Sequence, residues 1–72
     1  MTNTNKLKGK VVEQGFTIEK LAKEINMDRS TLYRRLNTKG ENFSIKEADA
    51  LVTALRLTRE EAVAIFFSQF VA

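Results

Sequence analysis

The chain has no cysteine, no histidine, no proline and no tryptophan, and only three glycines in 72 residues. Without cysteine there is no disulfide to staple a domain near the lower size limit for independent folding. With histidine also absent, a structural zinc site is excluded and no metal or other cofactor is expected. The lack of cysteine suits a reducing cytosol. No long apolar run is present: the longest, "AVAIFF" from Ala62 to Phe67, is far too short to span a bilayer. The opening "MTNTNKLKGK" lacks the apolar core of a secretory signal. Missing proline together with plentiful Ala, Leu, Lys and Glu favours helix throughout. The expectation is a soluble, cytoplasmic, all-α chain forming a single domain over residues 1–72. Its stability must come from helix packing, caps or association.

What is present is unevenly placed. Of the net charge of +3, residues 1–40 carry nine Lys and Arg against four Asp and Glu, while residues 41–72 carry three against five. A basic front half can attract phosphates, although a solvated charged surface has the same composition. Punctuation divides the chain into five helices, at about 4–14, 17–25, 29–37, 45–56 and 59–70. The first turns Leu7, Val11 and Val12 inward and ends at Gly15, where a left-handed cap is expected. Gly9 inside it marks either a close helix crossing or a weak helix. The second starts on Thr17 and presents Ile18, Leu21, Ala22 and Ile25 as one stripe. Asn26 suits a left-handed turn, with Met27 as an apolar plug. Asp28 caps the third helix, and "NTKGEN" is a loop with Gly40 its expected positive-φ residue. Ser44 with Glu47, and Thr58 with Glu61, form two S/T-x-x-E capping boxes. Ile45, Ala48, Val52 and Leu55 are the expected inner stripe of the fourth helix.

The functional signal lies in "MDRSTLYRRLN", Met27 to Asn37. Two nine-residue helices joined by a three-residue turn have the spacing of a helix-turn-helix. The second of them has only Leu32 and Leu36 inward. Arg29, Ser30, Tyr33, Arg34, Arg35 and Asn37 are therefore candidates to face DNA or a partner. Arginine can fork onto guanine or a phosphate, Ser30 and Asn37 can bond base edges or backbone, and Tyr33 can pack on sugar or a thymine methyl. Short helix pairs also occur in purely structural bundles. An enzyme is not expected, since nucleophile–base pairs and phosphate-cradling glycine loops are absent. The acidic pairs Glu60–Glu61 and Glu47/Asp49 sit at helix starts, where the dipole accounts for them.

The segment "TIEKLAKEINMDRSTLYRRLN" resembles the helix-turn-helix of phage repressors of the Cro/CI class, through Thr17, Leu21–Ala22, Met27 and Ser30-Thr31-Leu32. The downstream "FSIKEADALVTALRLTREEAVAIFF" is similar to the remaining helices of small phage switch regulators. The resemblance implies a five-helix domain of the phage repressor/Cro type. It is closest to the modulator-of-repression proteins, Cro-sized antirepressors of temperate phages that bind the CI repressor inside the bacterial host. Two departures stand out. The family usually has glutamine after the Thr cap, clamping a DNA phosphate, whereas this chain has Ile18, which also completes the stripe of its helix. Arg35 precedes Leu36 where many relatives place the apolar residue one position earlier.

The last helix is the remaining candidate surface. Ala62, Val63, Phe66, Phe67 and Phe70 form a continuous apolar arc with Val71 at its edge and Ile65 on the other side, wider than a core-facing stripe needs. Some of these side chains close the core. Val63, Phe66, Phe67 and Phe70 are the candidates for a partner-binding surface, each able to bury roughly 1.5–3 kcal/mol of apolar area. Two functional classes follow: an antirepressor that captures the N-terminal, DNA-binding domain of the phage CI repressor and blocks operator binding, or a Cro-like repressor that binds operator DNA directly as a homodimer. A joint complex with operator DNA belongs to the first class.

Overall fold

In the computed structural model, which describes residues 2–38 and 43–67, the helices are α1 Thr4–Glu13, α2 Ile18–Glu24, α3 Arg29–Asn37, α4 Ile45–Leu55 and α5 Arg59–Phe66. No strand occurs among the described residues. Every helix starts on a side-chain cap that satisfies an otherwise orphaned N–H. Asn3 accepts from Lys6 (3.2 Å), Thr17 from Lys20 (3.1 Å), and Asp28 from both Ser30 (3.0 Å) and Thr31 (3.2 Å). The two capping boxes are complete: Glu47 and Glu61 each donate a backbone N–H to the cap hydroxyl and accept the cap N–H in return.

Three helix ends share one device. Gly15, Asn26 and Arg56 take positive φ of 76°, 56° and 53°. The next residue in each case, Phe16, Met27 or Leu57, donates its N–H five residues back, to Val11, Ala22 or Val52 (2.9–3.0 Å). That bond recovers a terminal carbonyl, and the residue making it is apolar and packs on the core. The left-handed turn at Asn26 is therefore also what sets the entry of α3 beside α2.

All five helices supply the core. Leu7 and Val11 of α1, Leu21 and Ala22 of α2, Leu32 and Leu36 of α3, Leu51 and Leu55 of α4, and Ile65 of α5 are buried together. Phe43 and Phe66 seal one side edge to face, their ring centroids 6.2 Å apart.

Four expected placements differ, two of them inward ones. Val12 is 76% exposed and Ile45 89% exposed. In α4 the core stripe centres on Leu51 instead, with Ala48 and Val52 half-buried; at 100° per residue Ile45 then lies about 120° away from it. Ile65, expected outside the apolar arc, is fully buried, and the Asn3 N–H donates to its carbonyl (2.7 Å). Phe66 is half-buried against Phe43 rather than offered to a partner. Gly40, Phe70 and Val71 lie outside the described residues.

Gly9 does not mark a helix crossing: a Cβ built there would meet nothing within 4 Å. It is a weak point in α1, so Gly9→Ala is expected to raise stability by about 0.5–1 kcal/mol. Urea denaturation checks this.

Two ion pairs fasten helices to one another. Lys10 of α1 pairs with Glu61 of α5 as well as with Glu13 (3.2 Å), and Arg35 of α3 pairs with Glu47 of α4. The Ser44 N–H, and after it Arg35, hold the Glu47 carboxyl below its ordinary 4.5. Glu61 is lowered by Lys10 and then by the Thr58 N–H, and Lys10 is raised by Glu61 and then Glu13. A carboxyl whose pKa is depressed in the fold stabilises fully above its ordinary value and loses that contribution as pH falls through the depressed one. Stability should therefore hold down to about pH 5 and decline below it. The double variant Glu47→Gln, Glu61→Gln should be weaker at neutral pH and flatter below it. Urea midpoints measured across the acid range check the sign.

Candidate functional site

The site is built on α3. Leu32 and Leu36 seat it in the core, and Asp28 fixes its first turn through two N–H bonds. With that edge buried, Arg29, Ser30, Tyr33, Arg34 and Asn37 fall on the exposed side, Tyr33 at 60%. Arg29 and Ser30 lie in the first turn and Tyr33 just beyond it, as in a helix-turn-helix that addresses a groove with its N-terminal half.

Two of the six expected residues are engaged by other groups of the protein. Arg35 is half-buried. Its guanidinium pairs with Glu47 and lies 5.7 Å from the Phe43 ring centroid, so its flank of α3 is a helix–helix contact rather than a reading surface. Asn37 stays exposed, but its amide is engaged on both sides: Nδ2 donates to the Tyr33 carbonyl (2.8 Å) and Oδ1 accepts from Lys8 Nζ (2.9 Å). With one N–H and one oxygen lone pair engaged, the amide keeps only its second N–H and second lone pair for a base edge. Arg29, Ser30 and Tyr33 remain exposed on the outward side, as does Arg34, which is not without a partner of its own.

Lys8 was not apparent from the sequence. It sits 29 residues from Asn37, and nothing local signals the pairing. It belongs to a notch of about 290 Å³ between the end of α1, the start of α2 and Leu36 of α3. Val12, Phe16 and Ile18 line the notch, so the position after the Thr17 cap presents carbon where glutamine would present an amide. On α5, Val63 (40%) and Phe67 (51%) remain exposed on the side opposite Ile65. Of the three described candidates for an aromatic docking surface, Val63 and Phe67 are exposed and Phe66 is half-buried.

Residues 6–66, from within α1 to the end of α5, match the sequence signature of the Cro/C1-type HTH DNA-binding domain, and the chain belongs to that family. Membership makes it a helix-turn-helix domain of the kind that regulates transcription through DNA. No curated protein and no solved structure matches it. Among the described residues, no helix is long and apolar enough to cross a membrane.

Proposed function

We propose that the chain is a regulator of a phage genetic switch, acting in the cytoplasm of the bacterial host. In this reading it is an antirepressor that occupies the DNA-binding domain of a CI-type repressor, keeps it off its operator and favours the lytic cycle. The observation that carries the reading is the carbon-lined notch at Val12, Phe16 and Ile18. Against the carbon floor itself an anion would lose water without gaining donors, and Lys8 at the rim is the one cation of the lining that could hold one. An apolar side chain gains by the same burial. Inhibition then needs only mass action, because a partner covering the repressor's DNA-reading surface excludes the operator. The exposed side of α3 supplies rim contacts and steering. No catalytic step and no cofactor enter this account.

The second reading is direct operator binding as a dimer. It is favoured by the outward arginines, Ser30 and Tyr33 on α3 and by the family itself. A salt titration separates the two. Operator binding through several phosphates should lose affinity steeply, with a log–log slope of about −0.9 per phosphate. The antirepressor reading expects tight binding to the repressor's N-terminal domain and negligible binding of the chain alone to operator.

A further inference from the structure

Three cations among the described residues are half-buried: Lys8, Lys10 and Arg35. Lys10 has Glu13 and Glu61, and Arg35 has Glu47. Lys8 has only the neutral amide oxygen of Asn37 (2.9 Å) and no carboxylate among the described residues. An ammonium has three donors, and partial burial without a counter-charge is unfavourable. Lys8 also stands at the rim of the apolar notch, one helical turn before Val12. Val12, although apolar, is 76% exposed. A cation with no carboxylate among the described residues and an uncovered apolar side chain thus occupy adjacent turns of one helix face.

We propose that this notch receives a helix of a protein partner through two groups spaced one turn apart. One is an apolar side chain seated against Val12, Phe16 and Ile18, and the other a carboxylate that pairs with Lys8. The spacing follows from α1 itself, since four residues at 1.5 Å each separate the two contacts by about 6 Å. A helix laid along α1 matches them with residues three or four apart. Asn37 braces Lys8 from α3, so the ammonium is held in place before the partner arrives. The inference rests on the antirepressor reading for its choice of partner, the N-terminal DNA-binding domain of the phage CI repressor.

The test is calorimetric titration of that domain into the full chain and into Val12→Asp, Lys8→Glu and Lys8→Arg. Lys46→Glu makes the same charge change elsewhere, and Phe67→Ala probes α5. Thermal melts check folding, and Val12→Gln probes the same contact should the aspartate melt early. Val12→Asp and Lys8→Glu should each weaken binding at least about tenfold. Lys8→Arg and Lys46→Glu should stay within about threefold. Binding that survives both Val12→Asp and Lys8→Glu, or is lost only in Phe67→Ala, overturns the notch proposal and leaves the antirepressor reading intact. Tighter binding by Lys8→Glu also overturns it, because the partner would then be cationic there. Failure of the unaltered chain to bind the repressor domain retires the antirepressor reading itself.

Discussion

Leu32→Ala is expected to remove about 2–5 kcal/mol of stability. Leu32 is fully buried and belongs to the one core that all five helices share. Deleting its branched end leaves a cavity between α3 and its neighbours. A domain of this size, without disulfide or metal, holds only about 3–5 kcal/mol in reserve. The variant should therefore melt lower by about 4–8 °C for each kcal/mol lost and be partly unfolded at room temperature. Arg29→Ala, on the exposed side of the same helix, should change stability by no more than about 0.5 kcal/mol. Urea denaturation of the pair measures how sharply α3 divides into a seated edge and an outward one.

A second contrast lies on α5. Ile65→Ala should cost about 2–5 kcal/mol, because Ile65 is fully enclosed and its carbonyl receives the Asn3 N–H. Phe67→Ala should cost well under 1 kcal/mol of stability, because the ring is 51% exposed. If the α5 surface contributes to a protein complex, Phe67→Ala should weaken that complex by at least about 1 kcal/mol while the melting curve is unchanged. Equal destabilisation by the two substitutions would mean that α5 is seated in the other phase.

That phase was the least legible feature of the sequence. "AVAIFF" is apolar at six successive positions, so a helical wheel accepts two orientations. The choice lies in tertiary packing, which seats the Ile65 side chain in the shared core while the Asn3 N–H bonds its carbonyl. The same ambiguity displaced the stripe of α4, where Ala50, Leu51 and Val52 run together and Leu51 takes the centre. By contrast, α2 and α3 alternate sharply between apolar and polar residues. Leu21, Ala22, Leu32 and Leu36 were readable as core from spacing alone, and the structure buries all four. Capping was equally legible, because Thr17, Asp28, Ser44 and Thr58 act on their own first turns.

Within the candidate site, the outward side of α3 followed from periodicity. The withdrawal of Arg35 did not: its partner Glu47 is twelve residues away, beyond a loop, and Glu47 was already explained as half of a capping box. One carboxylate thus serves both the start of α4 and the flank of α3. The notch escaped notice because Val12 and Ile18 each suit an ordinary inward stripe. Only their meeting with Phe16 and Leu36 beneath Lys8 makes a surface of them.

The proposed function makes the exposed side of α3 and the adjoining notch a docking surface for the DNA-binding domain of a repressor. Competition is the most direct measurement: a labelled operator duplex held by the repressor's N-terminal domain, titrated with this chain and followed by anisotropy and by NMR of the chain. The account predicts release of the duplex, with shift changes concentrated at Arg29, Ser30, Tyr33, Val12 and Ile18. Retention of the repressor on its operator, with the chain itself binding the duplex in a steeply salt-dependent manner, would contradict it.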